Sequence, residues 1–201
     1  MVIDGVYYAL AFGGAGALVT WLAGPFYACP LYAVAVFCLY FFRDPEREIP
    51  EGAVAVSPAD GKVVAVKAEA PDLTRISVFL NIFDVHVNRA PVAGRIKEVF
   101  YQKGRFLVAS REEASSQNEQ NLIVIESDGF DVAFRQIAGL IARRIVCHKK
   151  AGDRVDASER IGMIKFGSRV DVLLGPGWDI QVRPGVRVRA GSSVLARRSS
   201  R

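Results

Sequence analysis

Histidine and cysteine are scarce in this chain, and charge is missing from a long part of it. His86, His148, Cys29, Cys38 and Cys147 are the whole stock of imidazole and thiol groups in 201 residues. Cys29 and Cys38 lie in an apolar run, and no pair is spaced as Cys-x-x-Cys. Neither a disulfide framework nor a metal site is therefore expected, and a reducing compartment fits. The chain has no zinc-finger spacing, no helix-turn-helix pattern and no basic helix, which removes the common nucleic-acid-reading modules. Between residues 5 and 42 there is no Asp, Glu, Lys or Arg. No basic segment precedes that run and Asp4 stands just before it, so it does not read as a cleaved export signal.

What is there begins with that uncharged run. Hydrophobic residues make up 51% of the chain and mean hydropathy is +0.20, and the excess is local. Gly24-Pro25 divides the run into residues 5–23 and 25–42, each near the ~20 apolar residues that cross a bilayer. The connection is too short to hold a domain, so both ends of the hairpin should lie on one side. Gly13, Gly14, Ala15, Gly16 and Ala17 form a small-residue patch against which a second helix can pack closely. Arg43 and Arg47 follow where basic residues mark a cytoplasmic face, diluted by Asp44, Glu46 and Glu48. The alternative is a buried helical hairpin of a soluble core. The net charge of +5 resides mainly in the remainder. Beside an apolar anchor, a basic surface points to an anionic bilayer rather than a nucleic acid.

From Ile49 onward the pattern is β. Residues 54–56, 62–67, 75–80, 95–101, 122–126, 132–134, 160–165 and 169–174 are short runs rich in Val, Ile and Phe. Pro58-Ala59-Asp60-Gly61, Ala70-Pro71-Asp72 and Ser127-Asp128-Gly129 punctuate them as turns. Residues 109–120 are a polar interruption that reads as a mobile loop, with a lid over a site as the alternative. Residues 150–161 and 183–195 share a Gly-x-x-Val pattern, a weak internal repeat. It resembles the hairpins of lipoyl and biotinyl carrier domains. The expected fold is mainly β: a barrel-sandwich domain of that kind over residues 49–201, with an apolar, membrane-anchoring helical hairpin in residues 1–48. Carriers present a lysine directly after Asp or Met at a hairpin tip. Lys62 follows Asp60-Gly61 and Lys165 follows Met163-Ile164, so neither has that context.

Two short stretches can carry chemistry. Gly167-Ser168 lies between two of the strand-like runs. A serine after a glycine can attack the carbonyl of that glycine, convert the peptide to an ester and lose the ester by elimination, although an isolated Gly-Ser pair is by itself only a turn. In residues 81–91 the extended character puts Asp84, His86 and Asn88 on one face and Phe83, Val85 and Val87 on the other. A histidine beside a carboxylate suits a general base acting on a serine. His148, in Cys147-His148-Lys149-Lys150, reads as a solvated turn residue.

Phe166-Gly167-Ser168-Arg169-Val170-Asp171 closely resembles the cleavage site of pyruvoyl-dependent phosphatidylserine decarboxylases of the short form. Ser57-Pro58-Ala59-Asp60-Gly61-Lys62-Val63, the run from Asn81 through Asp84 and His86 to Pro91, and Phe42-Arg43-Asp44-Pro45 after the apolar N-terminus are similar to further segments of that family, in the same order. The resemblance implies autocatalytic cleavage between Gly167 and Ser168 into a large chain (1–167) and a small chain (168–201). Ser168 would become the covalent pyruvoyl cofactor. It also implies that the Asp84–His86 pair activates Ser168, and that the mature enzyme decarboxylates phosphatidylserine in the membrane through a Schiff base, giving phosphatidylethanolamine and carbon dioxide. Asp128 is the candidate second acidic partner, since the Phe134-Arg135-Gln136-Ile137-Ala138-Gly139 run after it is also family-like. Where the long form has a further histidine beside that acidic residue, Gly129 and Phe130 stand here. Arg89, Arg135 and Arg169 are candidate partners for phosphate or carboxylate by charge alone. Two other classes stay open at this point: a membrane-anchored lipoyl-like carrier or adaptor module, and a membrane-tethered serine peptidase using Ser168 and His86.

Overall fold

The computed structural model describes residues 2–109, 111–140, 144–165 and 167–199. Phe166 of the cleavage motif and Ser110 of the polar interruption lie outside the described residues. The chain divides into two compact units, Met1–Glu46 and Arg47–Arg201.

The first unit is a helical hairpin, α1 (Ile3–Ala23) and α2 (Pro25–Phe41). Gly24 takes a positive φ of 100° between them, and Pro25 opens α2 at a position where its missing N–H costs nothing. The helices touch where residues are small: a side chain on Gly5 would meet Phe42, and one on Gly16 would meet the Tyr32 ring. The large apolar side chains point outward instead, with Trp21 81% and Phe26 82% exposed. At 21 residues α1 is long and apolar enough to cross a membrane, and α2, with 17, is shorter.

The second unit is mainly β. Its elements in order are β1 (Val54–Val56), β2 (Gly61–Ala70), β3 (Leu73–Leu80), β4 (Val87–Arg89), β5 (Gly94–Gln102), α3 (Ala114–Gln117), β6 (Gln120–Ser127) and β7 (Phe130–Ile137). They continue with β8 (Arg144–Cys147), β9 (Arg154–Val155), β10 (Arg160–Lys165), β11 (Ser168–Leu174), β12 (Trp178–Ile180), β13 (Arg187–Val188) and β14 (Val194–Arg198). A curled antiparallel sheet runs β13-β2-β3-β11-β7-β6-β5-β9, and two three-stranded sheets run β1-β14-β12 and β4-β10-β8. One apolar core is shared by all three: Ala55 and Leu195 from the first small sheet, Ile161 and Ile164 from the second, and Val78, Phe134, Val170 and Val172 from the large one.

The weak repeat in the sequence is a repeat in space. Residues 154–155 (β9) and 187–188 (β13) each follow a turn, and each closes one edge of the eight-stranded sheet, β9 on β5 and β13 on β2. Each is then followed by the middle strand of a small sheet, β10 or β14. Ser158 and Gly191, at the matching turns, both have left-handed backbone, φ 67° and 74°. Near the centre of the large sheet, β11 lies between β3 and β7.

The polar interruption differs from the expected mobile loop. Ala114, Ser115 and Asn118 are buried, and Asn118 bonds the Leu107 amide and carbonyl and the Ala138 carbonyl. Backbone bonds between Arg105 and both Gln117 and Glu119 close the excursion. An asparagine that satisfies three main-chain groups fixes a loop that composition alone describes as solvated.

Candidate active site

Lys165 ends β10 and Ser168 begins β11, so the Gly-Ser step is the passage from a small sheet into the large one. Burial continues along the whole of β11 because both of its faces are covered. Val170, Val172 and Leu174 face the apolar core, and strand alternation puts the Ser168 side chain on that same side. Arg169 and Asp171 face the other way. Ser168 is opposite Leu80 of β3, and Arg169 is opposite Ile137 of β7. Continuing the β7 register by two residues brings Gly139 level with Gly167.

Three features meet at Gly167. Its φ is +68°, a left-handed conformation in which glycine carries no steric cost. Its N–H donates to His86 Nε2 at 3.2 Å. Its carbonyl oxygen lies so close to Gly139 that a Cβ there would sit 2.2 Å away. The next residue, Ser168, is fully buried, and its hydroxyl has no hydrogen-bond partner among the described residues. A buried orphan hydroxyl is uncommon in a folded protein and calls for an explanation.

His86 is fully buried. Its main-chain carbonyl accepts the Ile164 N–H of β10 at 3.4 Å, which ties it to the strand entering the Gly-Ser step. Its Nδ1 lies 2.9 Å from the Asp84 main-chain carbonyl. A carbonyl can only accept and an amide N–H can only donate, so the two contacts together select the tautomer with the proton on Nδ1 and the lone pair of Nε2 toward Gly167.

The Asp84–His86 relationship therefore differs from the strand-face expectation. Residues 82–84 form a turn, and β4 begins only at Val87. The Asp84 carboxylate accepts the Asn81 N–H at 2.9 Å and pairs with Arg187 at 3.2 Å, while Asn81 Oδ1 accepts the Phe83 N–H at 2.8 Å. Two short polar side chains capturing nearby amides favour a turn over an extended strand. Asp84 thus holds the turn whose carbonyl orients the imidazole. Asn88 is buried as well, and its amide oxygen accepts from Gln136, which in turn accepts from Asn121. Gln136 stands opposite Val170, on the core side.

Asp128 is not brought to this site. It is exposed at the tip of the β6–β7 hairpin, with φ 46°. Ile137, at the other end of β7, is the residue near Arg169, and seven strand steps separate it from Phe130, about 23 Å at the usual rise. His148 is exposed. The three candidate arginines also have internal partners: Arg89 bonds the Ser158 carbonyl, Arg135 pairs with Glu69, and Arg169 pairs with Asp171. A cavity of ≈ 870 Å³ is lined by Glu69, Arg75, Glu112 and Arg135. It lies on the face of the large sheet opposite the Ser168 side chain, and its arginines are already matched by carboxylates.

Sequence reasoning did not assign Gly139, Gln136 or the Arg169–Asp171 pair. Gly139 had a signal of a kind, a glycine directly after an apolar strand, which marks close approach of another backbone.

Comparison with known proteins gives a consistent result. The phosphatidylserine decarboxylase family model matches residues 34–196. A phosphatidylserine decarboxylase proenzyme of Solibacter usitatus is 66% identical over 201 residues, covering 100% of this chain and 98% of the relative. The proenzymes of the same name from Nitrosomonas eutropha and Erythrobacter litoralis are 50% and 44% identical, covering 89% and 96% of this chain and 86% of each relative.

Proposed function

The chain belongs to the phosphatidylserine decarboxylase family, and from that premise we propose a self-processing enzyme whose reactive group is made from Ser168. Its reaction is the decarboxylation of phosphatidylserine to phosphatidylethanolamine and carbon dioxide. The observation that carries the site assignment is the arrangement at Gly167: left-handed backbone, an N–H on His86 Nε2, a carbonyl against Gly139 and, beside it, a buried Ser168 hydroxyl with no partner among the described residues.

His86 takes the hydroxyl proton of Ser168, and the oxygen attacks the Gly167 carbonyl carbon. Collapse breaks the Gly167–Ser168 C–N bond and leaves an ester, with the nitrogen of residue 168 as a free amine. Loss of the residue 168 α-proton then breaks the Cβ–O bond. Residue 167 leaves as a carboxylate and residue 168 becomes dehydroalanine. Water replaces its nitrogen, releasing ammonia, and the small chain begins with a pyruvoyl group. The residues present fit that group: Ser168 is buried, starts a strand held on both sides and has a base one residue away. When formed, the pyruvoyl group supplies the electron sink for loss of carbon dioxide. The chain's own part is to keep that end seated between β3 and β7 and to hold a proton acceptor at His86 Nε2.

The apolar hairpin supports membrane association, with the catalytic unit on the cytoplasmic side. An anchored enzyme meets a lipid substrate in the bilayer plane. Intact-mass measurement of the purified full chain tests the processing. Wild type should give two chains divided between 167 and 168, and Ser168→Ala a single one. A fully active wild type that consists of one uncut chain would refute this reading.

A further inference from the structure

Directly after Ser168, the face of β11 turned away from the apolar core is held by charge. Arg169 is among the largest fully buried side chains in the protein. Its guanidinium reaches three separate segments: Asp171 Oδ1 on its own strand at 2.6 Å, Ser77 Oγ on β3 at 2.7 Å, and the Arg111 carbonyl at 3.1 Å. Asp171, also fully buried, accepts the Ser115 hydroxyl at 2.8 Å through its other oxygen, and Arg75 stands 3.9 Å from that oxygen. The two side chains thus tie the first residues of β11 to β3 and to residues 111–117, which lie over this face.

A buried ion pair is a costly way to fill space. Apolar residues of similar volume would serve stability as well or better. Its position suggests a different use. In the uncut chain, the start of β11 is fixed covalently through Gly167, whose N–H is held by His86. Cleavage between 167 and 168 moves both of those restraints onto the other chain. The new terminus keeps its pairing with Leu80 and Ile137, but strand ends without a covalent neighbour fray.

We propose that the Arg169–Asp171 pair is a retention clamp, which keeps the newly cut end of β11 seated and holds residues 111–117 over it. The proposal rests on cleavage at Gly167-Ser168. It makes both members positioning residues: neither touches the reacting atoms, and neither is needed while the chain is whole.

The test compares hydrogen exchange at the amides of residues 169–172 in cut and uncut full-length protein. Wild type and the uncut Ser168→Ala protein should exchange equally slowly. The double variant Arg169→Met/Asp171→Leu, which preserves volume, should still be cut. Its cut form should exchange about 10-fold or more faster than the same double variant carrying Ser168→Ala, as expected for losing hydrogen bonds to charged groups. Its kcat should fall by a similar factor at unchanged pyruvoyl content, read from the small-chain mass. Ser77→Ala, which removes one bond of the clamp, should show the same cut-only effect at smaller size, and it stands in if the double variant does not fold. Equal exchange in cut and uncut forms of the variants would overturn the clamp, as would a double variant that folds but is not cut. A wild type that is never cut is read first, from masses alone. It would overturn the processing scheme itself, and the clamp with it.

Discussion

His86 Nε2 receives the Gly167 N–H, not the Ser168 hydroxyl, which lies one residue further along without a partner among the described residues. In the proposed mechanism the base is thus parked on the residue that carries the scissile carbonyl. Attack on the carbonyl requires the Ser168 hydroxyl to reach Nε2 in exchange for this resting contact. If so, His86→Ala should accumulate uncut chain, with cleavage slowed by ~10²–10⁴-fold, the usual contribution of a general base. His148→Ala should mature normally, because His148 is exposed. The two-chain fraction followed on a gel over time decides this, and the reverse pattern would exchange the roles of the two histidines.

Gly139 gives a sharper steric prediction. A methyl group there would stand 2.2 Å from the Gly167 carbonyl oxygen and 3.3 Å from the Ala109 side chain. Backbone on one side leaves little room to yield. Gly139→Ala should push the scissile carbonyl out of position and slow cleavage strongly, at a stability cost of roughly 1–3 kcal/mol from overpacking. Measuring melting of Gly139→Ala in the uncut Ser168→Ala background separates the stability loss from the kinetic one. Cleavage at the wild-type rate would show that the carbonyl does not need this slot.

The acidic residues divide by geometry. Asp84→Asn keeps an oxygen for the Asn81 amide and leaves the main-chain carbonyl facing His86 Nδ1, so maturation should slow only modestly. Asp84→Ala removes the side-chain acceptor that holds the turn, worth about 0.5–1.5 kcal/mol, and should slow it more. Asp128→Asn should change neither maturation nor turnover. Asparagine tolerates the left-handed backbone at the hairpin tip, so the substitution tests charge alone. A decarboxylation rate that drops with Asp128→Asn would mean that the β6–β7 tip reaches the substrate after all.

The sequence made some of this legible for physical reasons. β1 and β10 match their expected spans residue for residue, and β11 differs by one, because continuous apolar runs bounded by turn residues leave little choice. The two-residue strands β9 and β13 carry no periodicity to read; only the Gly-x-x-Val repeat hinted at them. Asp84 and His86 were legible as neighbours, but not the route between them. Period-two reasoning assumes a strand, and Asn81 with Asp84 makes a turn. Asp128 was drawn to the site by likeness of neighbouring residues, and a hairpin reverses direction where likeness along the chain does not. The polar run around residues 110–120 looked solvated because buried asparagine and serine are indistinguishable by composition from exposed ones.

The helical hairpin yields the last prediction. Outward-facing Trp21, Leu22, Phe26 and Tyr27 are each more than two-thirds exposed in the isolated chain. Burying such side chains contributes roughly 1.5–3 kcal/mol each, so a few of them suffice for lasting attachment to a bilayer. Apolar burial is not screened by ions as surface charge is. The full chain should therefore sediment with membranes and stay there in high salt, although its net charge of +5 would by itself give only salt-sensitive binding. The deletion should remove residues 1–42 and spare Arg47, because Arg47 bonds both carboxylate oxygens of Asp60 at 2.9 Å and Asp60 in turn accepts the Ala190 amide. Cutting into that bridge would disturb the β unit and confuse the result. The shortened chain should still divide into two parts, yet lose membrane retention and activity on phosphatidylserine in vesicles. If it partitions with membranes as the full chain does, the hairpin is not the anchor.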